Sequence, residues 1–377
     1  MAGLAQILKE SGHEVSGSDS QFYPPMSDYI KNLNIEIIQG FEEDTLPEAD
    51  LYVIGNALSR GNKCIEKILD QKLPFVSGPE ILGKELKGRN VFAVSGTHGK
   101  TTTSYMLAHI LTDQGRDIGY LVGGMSKNMK NPAKLGTDKT FVVEADEFDR
   151  SFLALKPTIA IITNIELEHM DCYKDLDDLQ DAFVKFCRSV PFYGAIIACV
   201  DSPAVQEIIT KIERPMITYG RSRDAAYRAK NLRFNENKST YSVFRAEECL
   251  GDIELNVPGE HNILNSLAAV VLGLEMGLSF NMIAKGMKSY LGVRRRFDIK
   301  GVYDDILIVD DYAHHPTEVE ATLGSARSGW DRRIVAVFQP HLFSRTKEFF
   351  KEFADALLNA DIVIITDIYP AREQPIA

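Results

Sequence analysis

The stretch Val91-Phe-Ala-Val-Ser-Gly96-Thr97-His98-Gly99-Lys100-Thr101-Thr102-Thr103 leaves this chain few folds to choose from. Val91 to Val94 suit a buried strand, and Ser104 to Leu111 are apolar at helical spacing. A glycine turn between strand and helix, closed by Lys-Thr, reads as a phosphate-binding loop. The glycines let backbone N–H groups close around a polyphosphate, and the helix N-terminus adds the positive end of its dipole. Gly96, Thr97, His98, Gly99 and Thr102 would line the cradle. Lys100 would reach the β- and γ-phosphates, and the Thr101 hydroxyl would hold Mg²⁺. The usual pattern, G-x-x-x-x-G-K-[ST], has glycine where this chain has Val94. The competing reading is a plain glycine turn; Lys-Thr at the two positions the chemistry needs weighs against it.

Around this loop the chain alternates strand and helix, which implies an α/β fold with a parallel sheet and ligands at the strands' C-terminal ends. Core strands are expected at Ile118–Val122, Thr140–Glu144, Thr158–Thr163 and Gly194–Val200. Tyr227 to Val257 has period-two stretches and no helix signal, the mark of a small antiparallel insert. An apolar helix is expected over Ser266–Glu275. Strands at Ile306–Val309, Ile334–Phe338 and Asp361–Thr366 alternate with helices at Pro316–Ser328 and Thr346–Asn359.

Ahead of the loop, residues 1–10 read as an amphipathic helix and Glu14–Asp19 as a strand, the later half of a βαβ nucleotide unit. Its first strand and glycine turn would precede residue 1. Further strands are expected at Ile35–Ile38, Leu51–Gly55 and Phe75–Val76, with a helix at Asn62–Gln71. Asp19 ends its strand where an acid commonly faces a ribose or base; a turn-capping Asp is the alternative. The division expected is 1–88, 89–292 and 293–377, with the polar turn Lys87-Gly-Arg-Asn90 ending the first part and the basic run Arg294–Arg296 at a hinge.

Three strand-end groups are candidates for one nucleotide site. They are Lys100-Thr101; Glu144, a potential second Mg²⁺ ligand or a solvated strand end; and His169, a potential metal ligand or a surface loop histidine. Asp310-Asp311-Tyr-Ala-His314-His315-Pro316 reads either as a metal site or as a helix-capping loop. Arg345 suits a bidentate carboxylate clamp or a surface ion pair, and Arg294–Arg296 either bind phosphates or solvate the hinge.

Composition narrows the rest. A net charge of −11 with no block of Lys or Arg argues against a nucleic-acid or anionic-membrane surface as main partner. Five cysteines without a CxxC pair suit reduced thiols in a cytosolic protein, and no apolar run approaches a membrane span.

Several motifs occur in one order: Gly96-Thr-His-Gly-Lys-Thr-Thr102, Glu144-Ala-Asp-Glu147, Asn164-Ile-Glu166 with His169, His261-Asn262 with Asn265, Arg295-Arg-Phe-Asp298, Asp310-Asp-Tyr-Ala-His-His-Pro-Thr-Glu318, and Gln339-Pro-His341. In that order the chain resembles the Mur ligases over essentially its whole length. The resemblance implies three domains: a Rossmann-like UDP-substrate domain lacking its first strand, a central ATP-binding domain, and an incomplete Rossmann-like C-terminal domain. It implies ATP and Mg²⁺ as cofactors, with Lys100 on the phosphates and Thr101, Glu144 and His169 around the metal. It places Asn262 and Asn265 at the adenine, Arg296 at the phosphates and Asp311 at the ribose. His315, His341 and Arg345 would lie near the incoming amino acid. The 310–318 stretch with Gln-Pro-His points to the member that joins L-alanine to UDP-N-acetylmuramate in cell-wall synthesis. Leu342 departs from the pattern, standing where many members carry Arg and leaving Arg345 to hold the amino-acid carboxylate. The alternatives are the related ligase that attaches a recycled peptide to the same UDP-sugar, and a phosphate-loop NTPase module that makes no amide. With both ends of the family pattern outside the sequence, ATP binding is expected intact and UDP-sugar binding weak.

Overall fold

The computed structural model describes residues 1–377 apart from 21, 23–25, 43–44, 57, 169–171, 372 and 375–377. The chain divides into two compact units, residues 1–125 with 129–217, and residues 126–128 with 218–377.

The first unit opens with α1 (Ala2–Glu10), β1 (Ser16–Asp19), α2 (Met26–Asn32), β2 (Glu36–Gln39), β3 (Tyr52–Ile54), α3 (Lys63–Asp70), β4 (Phe75–Ser77) and α4 (Gly78–Glu85). β1 pairs with β2 and β3 with β4, both in parallel. Local chemistry sets the helix starts. Asn62 accepts from the Ile65 amide ahead of α3, and Ser77 with Glu80 forms a capping box ahead of α4.

β5 (Asn90–Ser95), α5 (Lys100–Asp113), β6 (Gly119–Leu121), β7 (Ala133–Lys134), β8 (Thr140–Glu144), β9 (Ile159–Ile162), α6 (Leu176–Arg188), β10 (Ala195–Cys199) and α7 (Pro203–Ile209) follow. The strand order is β10-β9-β5-β8-β6-β7, parallel except for the β6–β7 pair. β5 is therefore central, and its Val91, Phe92, Ala93 and Val94 are all buried, as a parallel strand covered on both faces requires. α5 buries Tyr105, Met106, Leu107, Ile110 and Leu111. After β8 the chain turns through a 3₁₀ stretch, Phe148–Ala154. There Phe152 stacks on Phe186 at 4.7 Å and meets the edge of Phe183 at 5.2 Å.

β11 (Met216–Gly220) carries the chain out of this unit. In the second unit its last residues pair in parallel with β12 (Tyr227–Asn235), which forms an antiparallel meander with β13 (Lys238–Arg245) and β14 (Glu248–Leu255). α8 (Glu260–Glu275), α9 (Phe280–Ser289), β15 (Asp298–Tyr303), β16 (Ile306–Asp310), α10 (Pro316–Gly329), β17 (Val335–Phe338), α11 (Phe343–Glu348), α12 (Phe350–Leu357) and β18 (Ile362–Ile365) complete it. A separate core of Val319, Leu323, Phe338, Phe353, Ala356 and Leu357 holds α10, β17 and α12 together.

The expected antiparallel insert is present; two expected helices change and further elements are added. α8 begins at Glu260 rather than Ser266, after Gly259 at φ 97, so Asn262 and Asn265 are helical. The single helix over Thr346–Asn359 is two helices, α11 and α12, which meet at Phe349. α9, capped by the Ser279 side chain on the Met282 amide, was not anticipated. Nor was β15, whose register slips between Ile299 and Gly301 and spoils a regular alternation. Among the described residues no helix is long and apolar enough to cross a membrane. None of the five cysteines is in a disulfide.

The Phe152 cluster anchors the backbone directly after the acidic end of β8. Phe152→Ala is expected to cost about 3–5 kcal/mol of unfolding free energy, the scale for deleting a buried aromatic ring. Urea denaturation checks this, and a loss under about 1 kcal/mol would mean the site collapses around the deletion.

Candidate functional site: a phosphate loop at the end of a central strand

In the first unit, β5 lies between β8 and β9, so three neighbouring parallel strands present their C-terminal ends together. The end of β5 supplies the loop, the end of β8 supplies Glu144, and the residues after β9 brace the loop from behind. Thr97 and His98 give their amides to the Asn164 backbone oxygen and side-chain Oδ1, at 3.1 and 2.8 Å. Asn164 Nδ2 and Thr163 Oγ1 both donate to His98 O, at 3.0 and 2.6 Å. Thr97 Oγ1 accepts from the Glu166 amide at 2.8 Å. His98 Nε2 lies 3.4 Å from Glu166 Oε2. Gly96 sits at φ 134, and a Cβ there would stand 2.1 Å from Thr163 Oγ1 and 2.8 Å from Asn164 O. Only glycine fits the chain this close to β9.

Gly99 is the N-cap of α5, at φ 85, and contributes no side-chain cap; the first turn holds no acid. The amides opening α5 have no intrahelical acceptor, which makes the helix start a place for an anion. Since Thr97 and His98 spend their amides on Asn164, that anion site is built from Lys100 onward. Val94, where the usual pattern has its first glycine, is simply part of buried β5.

Lys100 Nζ donates to Glu147 Oε2 at 2.8 Å and Oε1 at 3.0 Å, and to the backbone oxygens of Gly96 and Thr97 at 2.8 and 3.2 Å. Asp146 Oδ1 stands 3.9 Å away. Burial works against the Lys100 cation, but Glu147, Asp146 and Glu144 outweigh it and raise its pKa above the usual lysine value. Glu147 is 1% exposed. Its carboxyl is pushed up by burial while Lys100 pulls it down. The sequence motif Glu144-Ala-Asp-Glu147 does not by itself assign Glu147 a role; its signal is the run of three acids ending a strand beside a phosphate loop. Thr101 Oγ1 donates to Glu144 Oε1 at 2.8 Å, and Glu144 Oε2 accepts from the Gly123 amide at 2.6 Å. A hydroxyl and a carboxylate converging in this way form a donor set that suits a hard cation such as Mg²⁺. His169 lies outside the described residues. Asp19 ends β1, exposed, its carboxylate accepting from the Ser20 amide at 2.7 Å.

The second unit holds the remaining candidates. Asn262 and Asn265 lie in the opening turns of α8, both buried; Asn262 Nδ2 donates to Pro258 O at 2.7 Å. Asp311 takes the Phe297 amide at 2.6 Å on one oxygen and the Ala313 amide at 2.7 Å on the other. Burial raises its pKa, with those amides and Arg296 opposing. Arg296 Nη1 donates to Glu318 Oε1 at 3.0 Å, and Glu318 Oε2 accepts from the His314 amide at 3.1 Å. Glu318, unassigned from the sequence, thus joins the basic run to the histidine pair. Arg345 Nη1 stands 3.1 Å from His341 Nδ1, so two of the three residues expected near the amino acid lie together. Burial, then Arg345 and His314, lower the pKa of His341. The third member differs. His315 is 4% exposed with its ring 4.9 Å from that of Phe349, whereas the ring of His314 lies 5.9 Å from that of His341. Leu342 holds φ 71, ψ 136, a conformation strained for any residue with a side chain.

A strand–loop–helix cradle with a part-buried lysine and a carboxylate from the neighbouring strand defines a phosphate-loop nucleotide-binding protein. Three family models match the chain in succession: Mur ligase family, catalytic domain (residues 1–89); Mur ligase middle domain (94–273); and Mur ligase, glutamate ligase domain (295–377). The chain belongs to the Mur ligase family and has its three-domain α/β fold. It is 42% identical over 376 residues to a protein named UDP-N-acetylmuramate–L-alanine ligase from Syntrophus aciditrophicus, covering 100% of this chain and 78% of that one. A solved UDP-N-acetylmuramate–alanine ligase from Thermotoga maritima superposes with a TM-score of 0.85 at 27% identity, covering 98% of this chain and 83% of that one. The solved UDP-N-acetylmuramate:L-alanyl-γ-D-glutamyl-meso-diaminopimelate ligase of Neisseria meningitides gives 0.72 at 33% identity, covering 77% and 94%.

Replacing Asn164 by Ala removes both side-chain bonds to His98: the His98 amide loses its Oδ1 acceptor, while His98 O keeps Thr163 Oγ1. A stability loss of about 1–3 kcal/mol is expected, the scale for orphaned buried polar groups, with weaker nucleotide binding. Chemical denaturation and a titration with nucleotide measure the two effects. An Asn164→Ala protein matching wild type in both would remove the brace from the site.

Proposed function

We propose that this chain is an ATP-dependent ligase that joins L-alanine to the lactyl carboxylate of UDP-N-acetylmuramate, a step of peptidoglycan synthesis. The observation that carries the proposal is the 42% identity, over the whole chain, to a relative of that name. A carboxylate is a poor electrophile, so the acid must be activated first. A lactyl carboxylate oxygen attacks the γ-phosphorus in line, the bond to the ADP oxygen breaks, and an acyl phosphate forms. The alanine amine then attacks the acyl carbon, the carbon–oxygen bond to phosphate breaks, and the amine gives up a proton. Lys100 and the opening amides of α5 offset the charge on the transferring phosphoryl group. Thr101, Glu144 and His169 are the residues that would hold Mg²⁺, which when bound neutralises phosphate charge.

In this reading the loop Gly96 to Thr102 shapes the phosphate cradle, with the anion-facing amides from Lys100 onward; Asn262 and Asn265 meet the adenine, Asp311 the ribose and Arg296 the phosphates. His341 and Arg345 receive the amino acid, with His315, packed on Phe349, as a further candidate beside them, and Asp19 belongs to the UDP-sugar side. The domains divide as 1–88, 89–292 and 293–377, and the reaction is cytoplasmic. The Lys100–Glu147 geometry supports the phosphate role, because a part-buried lysine held charged by its carboxylate neighbours needs no protonation to meet an anion. The His341–Arg345 contact supports the amino-acid role. A peptide-recycling ligase is the second reading, favoured by the 33% identity to the Neisseria enzyme.

Phosphate release with each substrate omitted in turn tests the reaction. Release should require UDP-N-acetylmuramate and L-alanine together, and a tripeptide should not replace alanine. Turnover with the tripeptide alone would favour the recycling ligase, and ATP hydrolysis with no UDP-sugar a plain NTPase. Lys100→Ala should lower kcat by about 10²-fold or more, the scale for removing an electrostatic stabiliser; unchanged kcat would remove Lys100 from the chemistry. Arg345→Ala should raise the KM for L-alanine by about 10- to 100-fold, the loss of one charge-assisted contact, and leave that for ATP unchanged. A shift in the ATP value instead would put Arg345 at the nucleotide.

A further inference from the structure

The tripeptide Ser126-Lys127-Asn128 interrupts the first unit and belongs to the second. There it is bound to residues 289–298 at every position. Ser126 forms an antiparallel bridge with Val293, and the Lys127 amide donates to Gly292 O at 2.9 Å. Asn128 Oδ1 accepts from the Leu291 amide at 2.7 Å, and Asn128 Nδ2 donates to Ser289 O at 2.9 Å. Lys127 Nζ meets Asp298 Oδ1 at 2.6 Å. Asp298 is 6% exposed, and its other oxygen takes Lys300 Nζ at 2.6 Å and the Arg295 amide at 3.3 Å. The segment so gripped is backbone under constraint: Gly292, Arg295 and Phe297 have φ of 94, 61 and 41. It also carries Arg296, and its Phe297 amide holds Asp311.

The chain just upstream of the tripeptide is tied to the candidate metal ligand in the first unit. The Gly123 amide donates to Glu144 Oε2, and Tyr105 Oη donates to Gly124 O at 2.7 Å. A Cβ on Gly123 would stand 3.0 Å from that same carboxylate oxygen. Met125 alone separates this anchored stretch from the tripeptide.

We propose that Ser126-Lys127-Asn128 is a strap, and that Lys127, through Asp298, is a positioning residue of the ligase. It sets the backbone of residues 291–298, and with it Arg296 and Asp311, according to what occupies Glu144. When a ligand draws the Glu144 carboxylate toward itself, the Gly123 amide follows or loses its acceptor, and the strap passes that change on. The inference rests on the nucleotide reading of the phosphate loop. It needs no contact between Lys127 and substrate; the loss of Lys127 acts through Arg296 and Asp311, and so reaches ATP binding as well as turnover.

Amide hydrogen exchange on the full chain, with and without a non-hydrolysable ATP analogue and Mg²⁺, reads both levels. Nucleotide should slow exchange at the opening amides of α5. It should also change exchange at the Lys127 and Leu291 amides by roughly threefold or more, within the range of coupling carried by such networks. In Lys127→Met the second change should vanish while the first stays, and kcat/KM for ATP should fall roughly tenfold. Lys127→Arg keeps the ion pair and should restore both, which guards against a merely misfolded variant. Protection at α5 with no change at Lys127 and Leu291 overturns the strap and leaves the nucleotide reading standing. No protection at α5 overturns the nucleotide reading, and the strap falls with it.

Discussion

The buried contact between Lys100 and Glu147 is the constraint that the nucleotide site is arranged to satisfy. A cation and a carboxylate withdrawn from water lose several kcal/mol of hydration each, and their attraction offsets this only when the remaining donors and acceptors are met. Here they are: the ammonium also has the Gly96 and Thr97 carbonyls, and the glutamate lies at a fixed distance beyond β8. The arrangement demands that β5 and β8 be neighbours, that the loop curl back over its own lysine, and that the chain after Glu147 be immobile. The Phe152 cluster meets the last requirement, as does Tyr173, whose hydroxyl donates to Glu147 O at 2.6 Å. Asp149 and Arg150, both at φ 53, show how tightly that turn is wound. Arg150 is held there by Asp178 at 2.6 Å and lies over the Tyr173 ring.

In the second unit carboxylates do comparable work on backbone. Asp298, Asp311 and Glu318 each accept a main-chain amide while facing an arginine or lysine. Burial opposes ionisation of Asp298, yet Lys127, Lys300 and the Arg295 amide hold its pKa down to about 2. A depressed carboxyl stabilises the fold above its unfolded value near 4 and loses that contribution as pH falls toward 2. Within the basic run at residues 294–296, Arg295 and Arg296 already have partners. Arg295 lies over the Tyr312 ring at 4.3 Å and Arg296 is engaged by Glu318, so a ligand at Arg296 competes with, or joins, an existing ion pair.

Much of this was legible in the sequence, and the reasons are local. The period of apolar residues gave β5, α5, β8 and β9, because burial on both faces leaves a continuous apolar run that polar loops cannot imitate. Glycine and Lys-Thr at fixed offsets marked the loop, because backbone geometry and charge both depend on those residue types. Element ends were less legible. The polar opening of α8 and the slipped register of β15 look like loop when only hydrophobic pattern is read.

The sequence by itself determined that this chain has a phosphate loop on a parallel α/β sheet, and its motif order determined that it resembles the Mur ligases. Only the tertiary structure decided the partners. That Lys100 is met by Glu147 across 47 residues, that Asn164 consumes two loop amides, and that His314 rather than His315 faces His341 depend on strand order and backbone direction. A carboxylate, an amide and an imidazole look alike in a string of letters whether they meet a ligand or a neighbouring strand. The difference is a matter of a few ångströms, which long-range pairing sets and local spacing does not.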